Sequence, residues 1–314
     1  MEIRLITYNI DGLPEKLDLN TLPWILKPFV WVYKLFKKTT MVSVNDNTDT
    51  SSKMKNISER LSLSQSDIIG VQEDFNYHNE LMMYLKDKYN DTTHMGGFDL
   101  SKIFSKTECF THFPLPRFKS DGLNMITNKE RVKVKEEKIV RWKKSYGYIK
   151  HANDVLTHKG FRFYTVTVDG EVDIDIYIVH MDADFYNEVN CPDVSKDVEA
   201  RESQLKQLSK YITSRYDNGF NNPTIIMGDT NSADKYTWDV ENLIGNLFEP
   251  INRISSLRIN EAIPNNFSDV DKAFYINNLN SDYKLSVSKC RFEYNFDGLS
   301  DHKPLVIDFK IEKV

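Results

Sequence analysis

Short runs of apolar and β-branched residues alternate with polar segments along the chain, and such runs predict buried β-strands. Five of the runs carry a carboxylate, an amide or an imidazole at or beside one end. They are Glu2 to Asn9, Asp67 to Glu73, Asp173 to His180, Pro223 to Asn231, and the segment that follows Asp301 and His302. Polar groups in such positions lie at the rim of a sheet, where ligands usually bind. Five strand ends with this chemistry together predict a metal-assisted hydrolytic site.

Other segments have the spacing of helices and hairpins. The predicted helices are Met54 to Ser64, Asn79 to Lys88 and Glu199 to Arg215. Further strands are predicted at Gly122 to Thr127, Phe161 to Val168 and Asp173 to Val179, the last two joined by the hairpin turn Asp169-Gly170. Helices that alternate with strands, some of which also pair as hairpins, indicate mixed sheets with helices outside. The predicted fold class is therefore a layered α/β sandwich.

One domain over residues 1–314 is the predicted organisation. The chain has no Pro/Gly/Ser-rich linker, no repeat and no low-complexity tract, and large β-rich layered folds often run this long as one domain. The polar strand ends are spread from residue 9 to residue 302 and must meet if they form one site. An insertion is predicted at about residues 15–53, between the first strand and the first helix.

The insertion contains a strongly apolar segment, Leu22 to Phe36, followed by the polar, loop-like Ser43 to Lys53. The apolar segment is shorter than the roughly 20 residues that cross a bilayer, and lysines and prolines interrupt it. Two interpretations remain. The segment is either a helix packed into the domain, or a partly exposed element that makes peripheral contact with a membrane or a lipid substrate through residues 22–36.

Charge and cysteine content narrow the functional class. A net charge of −5 and a pI near 5.9 argue against a chain built as a whole to bind nucleic acid. The widely spaced Cys109, Cys191 and Cys290 imply neither a disulfide framework nor a zinc site. The N-terminus lacks the basic-then-apolar pattern of a signal peptide, so a cytoplasmic or peripheral-membrane location is expected. A monomer is also expected.

The polar strand ends suit a hard cation and proton transfer. Glu73 and Asn9 offer the oxygen ligands that Mg²⁺ and Ca²⁺ prefer. In the sequence GDTN, a tight turn lets the side chains of Asp229 and Asn231 point the same way. His302 could act as a general base, because the unperturbed pKa of a histidine, about 6.5, suits proton transfer at neutral pH. Taken singly, each motif is also typical of a surface residue or a turn.

The order of these motifs along the chain, YN, QE, H, GDTN and SDH, resembles the endonuclease/exonuclease/phosphatase superfamily, also called the DNase I-like fold. The resemblance extends from Asn9 to His302. It implies a four-layer α/β sandwich of two mixed β-sheets flanked by helices. It also implies hydrolysis of a phosphoester with Mg²⁺ as the cofactor, and Mn²⁺ or Ca²⁺ as alternative ions.

The same resemblance implies a role for each polar strand end. Asn9 and Glu73 would hold the metal, with Asp301 beside it. His180 would contact the scissile phosphate, and His302 would be the general base.

The remaining polar strand ends would position other groups. Asp229 and Asn231 would place the nucleophilic water and the phosphate. Asp271 matches the acidic residue that opens a late strand and orients the catalytic histidine, and Asp269, two residues away, is the alternative.

The segment Gly147 to Phe161 bears on the substrate. An Asp five residues before a Lys-Gly pair, here Asp154 and Lys159, resembles the neutral sphingomyelinase branch, where these residues form part of a switchable element next to the site. The alternative is an ordinary loop that leads into a strand. The long apolar hairpin of the bacterial enzymes is not evident, so residues 22–36 would have to make the membrane contact. A phosphodiester with a lipid headgroup is the favoured substrate.

A nuclease is the main rival hypothesis. Lys129 to Lys150 contains nine Lys or Arg residues against three Glu, interleaved with aromatic residues. Such a segment can follow a nucleic-acid backbone, attract anionic lipid headgroups, or form a solvated strand face. A phosphoinositide or other phosphomonoester phosphatase is the third hypothesis. A catalytically inactive binding module would lack a metal ligand or the base, and the sequence keeps them all.

Overall fold

The computed structural model describes residues 1–12, 50–96, 120–146, 157–183, 195–232, 258–261, 270–278 and 280–314. Its strands are β1 (Glu2–Asn9), β2 (Ile68–Gln72), β3 (Tyr89–Asp91), β4 (Asn124–Asn128), β5 (Val132–Arg141), β6 (Gly160–Val168), β7 (Val172–His180), β8 (Thr224–Asp229), β9 (Arg258–Glu261), β10 (Asp271–Asn277), β11 (Tyr283–Phe292) and β12 (Leu305–Lys313). Its helices are α1 (Thr50–Leu63), the single turn α2 (His78–Leu81), α3 (Ser195–Asp217) and a 3₁₀ turn at Tyr294–Phe296.

The strands form two six-stranded mixed sheets. The first sheet has the order β11-β12-β1-β2-β4-β3, and the second has the order β5-β6-β7-β8-β10-β9. A parallel pair lies at the centre of each sheet, β1 with β2 and β7 with β8. The other neighbouring pairs of described strands are antiparallel.

Alternation of side chains along the strands places apolar groups on both faces of each sheet. In β6, for example, all nine residues are buried. Tyr164, Val166 and Val168 pack between the two sheets, whereas Phe161 and Phe163 pack on the opposite face, against α3. A strand that is covered on both faces reads as a continuous apolar run, which explains why the central strands stand out in the sequence.

A long helix covers the outer face of each sheet. Met54, Ile57 and Leu61 of α1 pack on the outer face of the first sheet. In α3, Leu205 and Leu208 belong to the apolar stripe that packs on the second sheet. Helix, sheet, sheet and helix make four layers, so the predicted layered α/β sandwich is confirmed.

Most predicted elements are present with small shifts in their ends. The predicted hairpin is confirmed, because β6 and β7 pair antiparallel from Phe161 opposite Val179 to Val168 opposite Val172. The helix predicted at 54–64 begins earlier, at Thr50. The strand predicted at 122–127 begins at Asn124, since Gly122 has a φ of +69°, outside the extended region.

The helix predicted over Asn79 to Lys88 is wrong. Helical structure ends at Leu81, and residues 82–88 form turns with bonds such as Leu85 N–H to Met82 C=O, 3.1 Å, three residues back. Tyr89 follows these turns and enters β3, where it pairs with Asn128.

Several predictions fall outside the described residues. They include the membrane-contacting segment 22–36, most of the insertion at about 15–53, Asp154 and Asp269. The single-domain organisation and the monomeric state stay predictions. Among the residues that the structure describes, no helix is long and apolar enough to cross a membrane.

The described part of the basic segment, residues 129–146, forms the edge strand β5 and its flanks. Carboxylates compensate several of its charges. Lys135 pairs with Asp173 at 2.8 Å, and Lys144 pairs with Glu199 at 2.6 Å. This arrangement favours the solvated strand face over a continuous nucleic-acid track.

A buried ion pair fixes β6 to the segment that precedes β4. The Arg162 guanidinium donates two hydrogen bonds to the Asp121 carboxylate, of 2.8 and 2.7 Å, and both side chains are almost inaccessible to solvent. The substitution Arg162→Leu leaves the Asp121 charge buried and uncompensated. We expect it to lower the free energy of unfolding by about 3–5 kcal/mol in urea titrations.

Lys135→Ala is the matched control, because it breaks an ion pair that is exposed to solvent. We expect a loss below about 1 kcal/mol in this variant. Equal losses in the two variants would contradict a structural role for the buried pair.

Candidate active site

Parallel pairing at the centre of each sheet brings four predicted residues to one end of the sandwich. Asn9 ends β1 and His180 ends β7, Asp229 ends β8, and Glu73 directly follows β2. Parallel strands have their carboxyl ends at the same edge of a sheet, so each sheet supplies two of these side chains. The two edges face each other, because the Asn9 side chain reaches Asp229 across the sheets.

Two more predicted residues reach this end from antiparallel strands. Asp271 opens β10 and lies opposite Asp229 in the strand register. His302 lies just before β12, which pairs with β1 so that Leu305 is opposite Thr7. The carboxyl end of one antiparallel strand meets the amino end of its neighbour, which places both side chains at the same edge. We call Asn9, Glu73, His180, Asp229, Asn231, Asp271 and His302 the strand-end site.

Asp229 Oδ2 is the centre of the strand-end site. It accepts a hydrogen bond of 3.1 Å from Asn9 Nδ2. It also lies 3.6 Å from His180 Nε2 and 3.7 Å from His302 Nε2. Burial alone would raise the pKa of the Asp229 carboxyl, but the charges of His302 and Lys159 and the hydrogen bond from the Asn231 backbone hold that pKa below its usual value. Asp229 is therefore an anion in this position.

Asp271 orients His302. Its Oδ2 lies 2.6 Å from Nδ1 of His302, which directs Nε2 of the imidazole towards Asp229. Burial opposes protonation of His302, but the Asp271 and Asp229 carboxylates outweigh it and raise the pKa of His302 to about 11. A cation that neutralises these carboxylates would lower this pKa towards the range in which His302 can accept a proton.

Glu73 is held in a restricted backbone conformation. Its φ of +62° is uncommon for a residue with a side chain and is typical of functional sites. Its Oε1 lies 3.9 Å from His180 Nε2. Burial raises the pKa of Glu73 to about 7, with a smaller opposing effect from Lys159. A carboxylate that is largely removed from solvent, as this 19% exposed side chain is, gains stability from a bound cation.

His180 differs from His302 in its charge. Burial and the charge of Lys159 together hold the pKa of His180 well below its ordinary value, so its imidazole is neutral at physiological pH. Its Nδ1 is buried and has no hydrogen-bond partner in the part of the chain that the structure describes. Trp142 holds the backbone at His180, because its Nε1 donates a 2.7 Å hydrogen bond to the His180 carbonyl.

Asn231 and Lys159 meet at one backbone carbonyl. Asn231 Nδ2 and Lys159 Nζ donate hydrogen bonds of 2.9 and 3.2 Å to the carbonyl oxygen of Met181. The backbone N–H of Asn231 donates to Asp229 Oδ1 at 2.9 Å, which is the tight turn predicted for GDTN. The structure thus brings Lys159 to the border of the strand-end site.

Asp301 is more loosely connected than the other predicted residues. Its side chain is 61% exposed, and Oδ1 lies 3.9 Å from His302 Nε2. The neighbouring Ser300 ties this segment to β1, because its hydroxyl donates to the Asn9 carbonyl at 2.8 Å and accepts from the His302 N–H at 3.1 Å.

Sequence reasoning missed two charged groups beside the site. Asp11 forms a 2.8 Å ion pair with Lys53, and its backbone N–H donates to Asn9 Oδ1 at 3.1 Å. The signal for Asp11 was its spacing, two residues after Asn9. Asp182 is buried two residues after His180 and accepts a 2.6 Å hydrogen bond from Gln204.

The donor set at this end suits a hard divalent cation. Asn9 and Glu73 present an amide and a carboxylate oxygen, the ligand types that Mg²⁺ prefers, without any cysteine. Asp229, Asp271 and His302 also offer ligand atoms within 4.8 Å of one another. Nδ1 of His302 is already engaged by Asp271, however, so this group resembles an oriented base more than a metal ligand set.

Comparison with known proteins shows the fold. No family model matches the chain, and no curated protein sequence matches it. A double mutant of beta toxin from Staphylococcus aureus, with bound magnesium ions, is 12% identical, with a TM-score of 0.59 over 98% of this chain and 99% of that one. Sphingomyelinase C from Streptomyces griseocarneus is 12% identical, with a TM-score of 0.57 over the same shares.

D. rerio TDP2 complexed with a single-strand DNA product is 14% identical, with a TM-score of 0.57 over 98% of this chain and 99% of that chain. The likeness over nearly the whole chain confirms the predicted DNase I-like four-layer sandwich.

Gly228 is required for the position of Asp229. Its φ is +146°, and a Cβ atom there would collide with the backbone carbonyl oxygen of Val179 on the neighbouring strand. We expect Gly228→Ala to lower the free energy of unfolding by more than about 1–3 kcal/mol, the usual cost of backbone strain alone. Thermal or urea unfolding measures this loss.

Gly170→Ala is the control that separates the cost of a positive φ from the cost of a clash with the neighbouring strand. Gly170 also has a positive φ, +74°, but a Cβ atom there would have no neighbour within 4 Å. Gly170→Ala should therefore be clearly milder, and a loss as large as that of Gly228→Ala would contradict the close-approach explanation.

Proposed function

We propose that the chain is a metal-dependent phosphodiester hydrolase, with Mg²⁺ as its cofactor. The observation that carries the proposal is the convergence on Asp229 of Asn9, His180 and His302, all within 3.1–3.7 Å of one carboxylate oxygen. An oriented imidazole, hard oxygen ligands and a buried anion are the groups that metal-assisted hydrolysis needs.

Asn9 and Glu73 would hold the cation, with Asp301 beside it. The burial of Glu73 and the oxygen-only ligand chemistry support this assignment, and a structural neighbour was solved with bound magnesium ions. Such a cation, when bound, neutralises charge that develops on the phosphoryl oxygens.

His302 would be the general base that accepts the proton. Because Asp271 accepts the proton on Nδ1, neutral His302 presents an unprotonated Nε2 next to Asp229. Nε2 would take the proton of the attacking water, which Asp229 and Asn231 would position. General bases of this kind typically contribute about 10²–10⁴-fold in rate.

Phosphate recognition would use His180, Asn231 and Lys159. The neutral His180 can donate a hydrogen bond from Nε2 to a phosphoryl oxygen without repelling a metal. Lys159 supplies a positive charge at the border of the site, where it also influences Glu73 and Asp229. Asp154, its proposed partner, lies outside the described residues.

Within this class we favour a lipid phosphodiester as the substrate. The basic segment is partly neutralised by carboxylates, and two of its ion pairs involve exposed lysines of the β5 region. One structural neighbour is a sphingomyelinase C. Residues 22–36 would provide the peripheral membrane contact.

A nuclease is the alternative. A structural neighbour at a similar TM-score was solved with a single-strand DNA product, so the fold accommodates nucleic acid equally well.

Glu73→Gln and His302→Ala test the site directly. The first removes a carboxylate that would hold the cation, and the second removes the base. We expect each variant to lose at least about 10²-fold in Mg²⁺-dependent hydrolysis of bis(p-nitrophenyl) phosphate. Circular dichroism should show an intact fold.

Glu59→Gln is the control, because Glu59 is an exposed carboxylate of α1. It should keep full activity. Wild-type turnover in both site variants would refute the assignment.

Substrate class is tested by parallel assays with Mg²⁺ on sphingomyelin liposomes, plasmid DNA and a phosphoinositide headgroup. We expect headgroup release from liposomes and no reaction with the other two substrates. Nicked plasmid with intact lipid would establish the nuclease, and phosphate release from the phosphoinositide alone would establish a phosphatase.

A further inference from the structure

A second cluster of metal-ligating side chains lies beside the strand-end site. It contains Asp74, His78 and His94, whose ligand atoms all lie within 4.8 Å of one another. Asp74 lies two residues beyond the end of β2, His78 opens α2, and His94 lies three residues beyond the end of β3. The two imidazole rings are stacked, with centroids 3.9 Å apart. The proposed hydrolysis uses none of these residues.

Among the described residues, only one of the two carboxylate oxygens of Asp74 has hydrogen-bond partners. Its Oδ2 lies 2.7 Å from His78 Nδ1 and accepts a 3.0 Å hydrogen bond from Asn124. Its Oδ1 is buried and has no hydrogen-bond partner among the described residues; it lies 3.9 Å from Nε2 of His94, which donates to the Asp74 backbone carbonyl at 3.1 Å. The side chain of Asp74 is 0% exposed, so water does not solvate this oxygen in compensation. An unpaired anionic oxygen that faces an imidazole nitrogen is a position for a cation.

A second carboxylate fixes the orientation of His78. Nε2 of His78 lies 2.7 Å from Asp91 Oδ2, and Asn124 Nδ2 also donates to Asp91 Oδ1 at 2.8 Å. If Asp91 accepts the Nε2 proton, Nδ1 is the nitrogen that faces Asp74. A carboxylate that orients a histidine in this way is the common outer partner of metal-binding histidines.

We propose that Asp74, His78 and His94 bind a divalent transition-metal ion, Zn²⁺ being the best match. The ligand atoms would be a carboxylate oxygen of Asp74, Nδ1 of His78 and Nε2 of His94, with a fourth position for water. Two imidazoles and a carboxylate suit Zn²⁺, whereas Mg²⁺ takes mainly oxygen ligands. To ligate, His94 must turn out of the ring stack and release the 3.1 Å hydrogen bond that its Nε2 donates to the Asp74 backbone carbonyl.

Without a metal, a proton takes the place of the cation. Burial opposes a charge on His78, but hydrogen bonds with Asp74 and Asp91 outweigh it and raise the pKa of His78 to about 10. Metal binding therefore releases the Nδ1 proton to solvent.

The experiment is a Co²⁺ titration of the full chain in a large excess of Mg²⁺. Mg²⁺ occupies oxygen-only sites but does not compete for imidazole. We expect one equivalent of Co²⁺ to bind with the visible absorption of a four-coordinate ion, and Zn²⁺ to displace it. Glu73→Gln should keep this signal, because Glu73 belongs to the strand-end site.

Variants of the cluster complete the test. His94→Gln removes a ligand and should weaken Co²⁺ binding by at least about 10-fold. Asp91→Asn keeps all ligands but loses the group that orients His78, and should weaken binding by about 10–100-fold. No Co²⁺ binding in the wild type would overturn the proposal, as would a signal that Glu73→Gln abolishes and His94→Gln leaves intact. The outcome is independent of the hydrolase proposal, since it requires no turnover.

Discussion

A single hydrogen bond between the two sheets organises the chemistry of this protein. Asn9 Nδ2 at the end of β1 donates to Asp229 Oδ2 at the end of β8, although 220 residues separate them in sequence. The bond forms only because the sheets pack face to face through one apolar core, which fixes the distance between their central strands. Packing of the whole sandwich therefore determines whether the strand-end site exists, and a change in sheet spacing would separate its two halves.

Electrostatics distinguish this end of the sandwich from an ordinary polar surface. Asp229 is buried and ionised, so cationic groups must compensate its charge, and His302 lies 3.7 Å away while the neutral His180 lies at 3.6 Å. The pKa values of the two histidines shift in opposite directions. The Asp271 and Asp229 carboxylates raise the pKa of His302, whereas burial and the charge of Lys159 lower the pKa of His180. Groups whose pKa values are pushed apart are suited to separate roles in proton transfer and phosphate binding.

The fold could be predicted from the sequence because it is encoded by local patterns, and the same patterns located most of the candidate site residues that converge at one end of the sandwich. Buried strands read as continuous apolar runs, and their polar ends are visible without a structure, as for Glu73 and His180. Groups held only by tertiary contacts were not predictable. The contacts of His78 with Asp74 and Asp91 join different elements, and turns replace the helix expected at 79–88 ahead of β3.

The central claim is that strand ends remote in sequence surround one divalent cation. Anomalous diffraction from crystals of the protein soaked in Mn²⁺ tests this claim most directly, because Mn²⁺ accepts the same oxygen ligands as Mg²⁺ and can be located by its scattering. We expect an anomalous peak in contact with Asn9 and Glu73, next to the Asp229 carboxylate. A well-ordered strand-end site with no Mn²⁺ between these residues would contradict it.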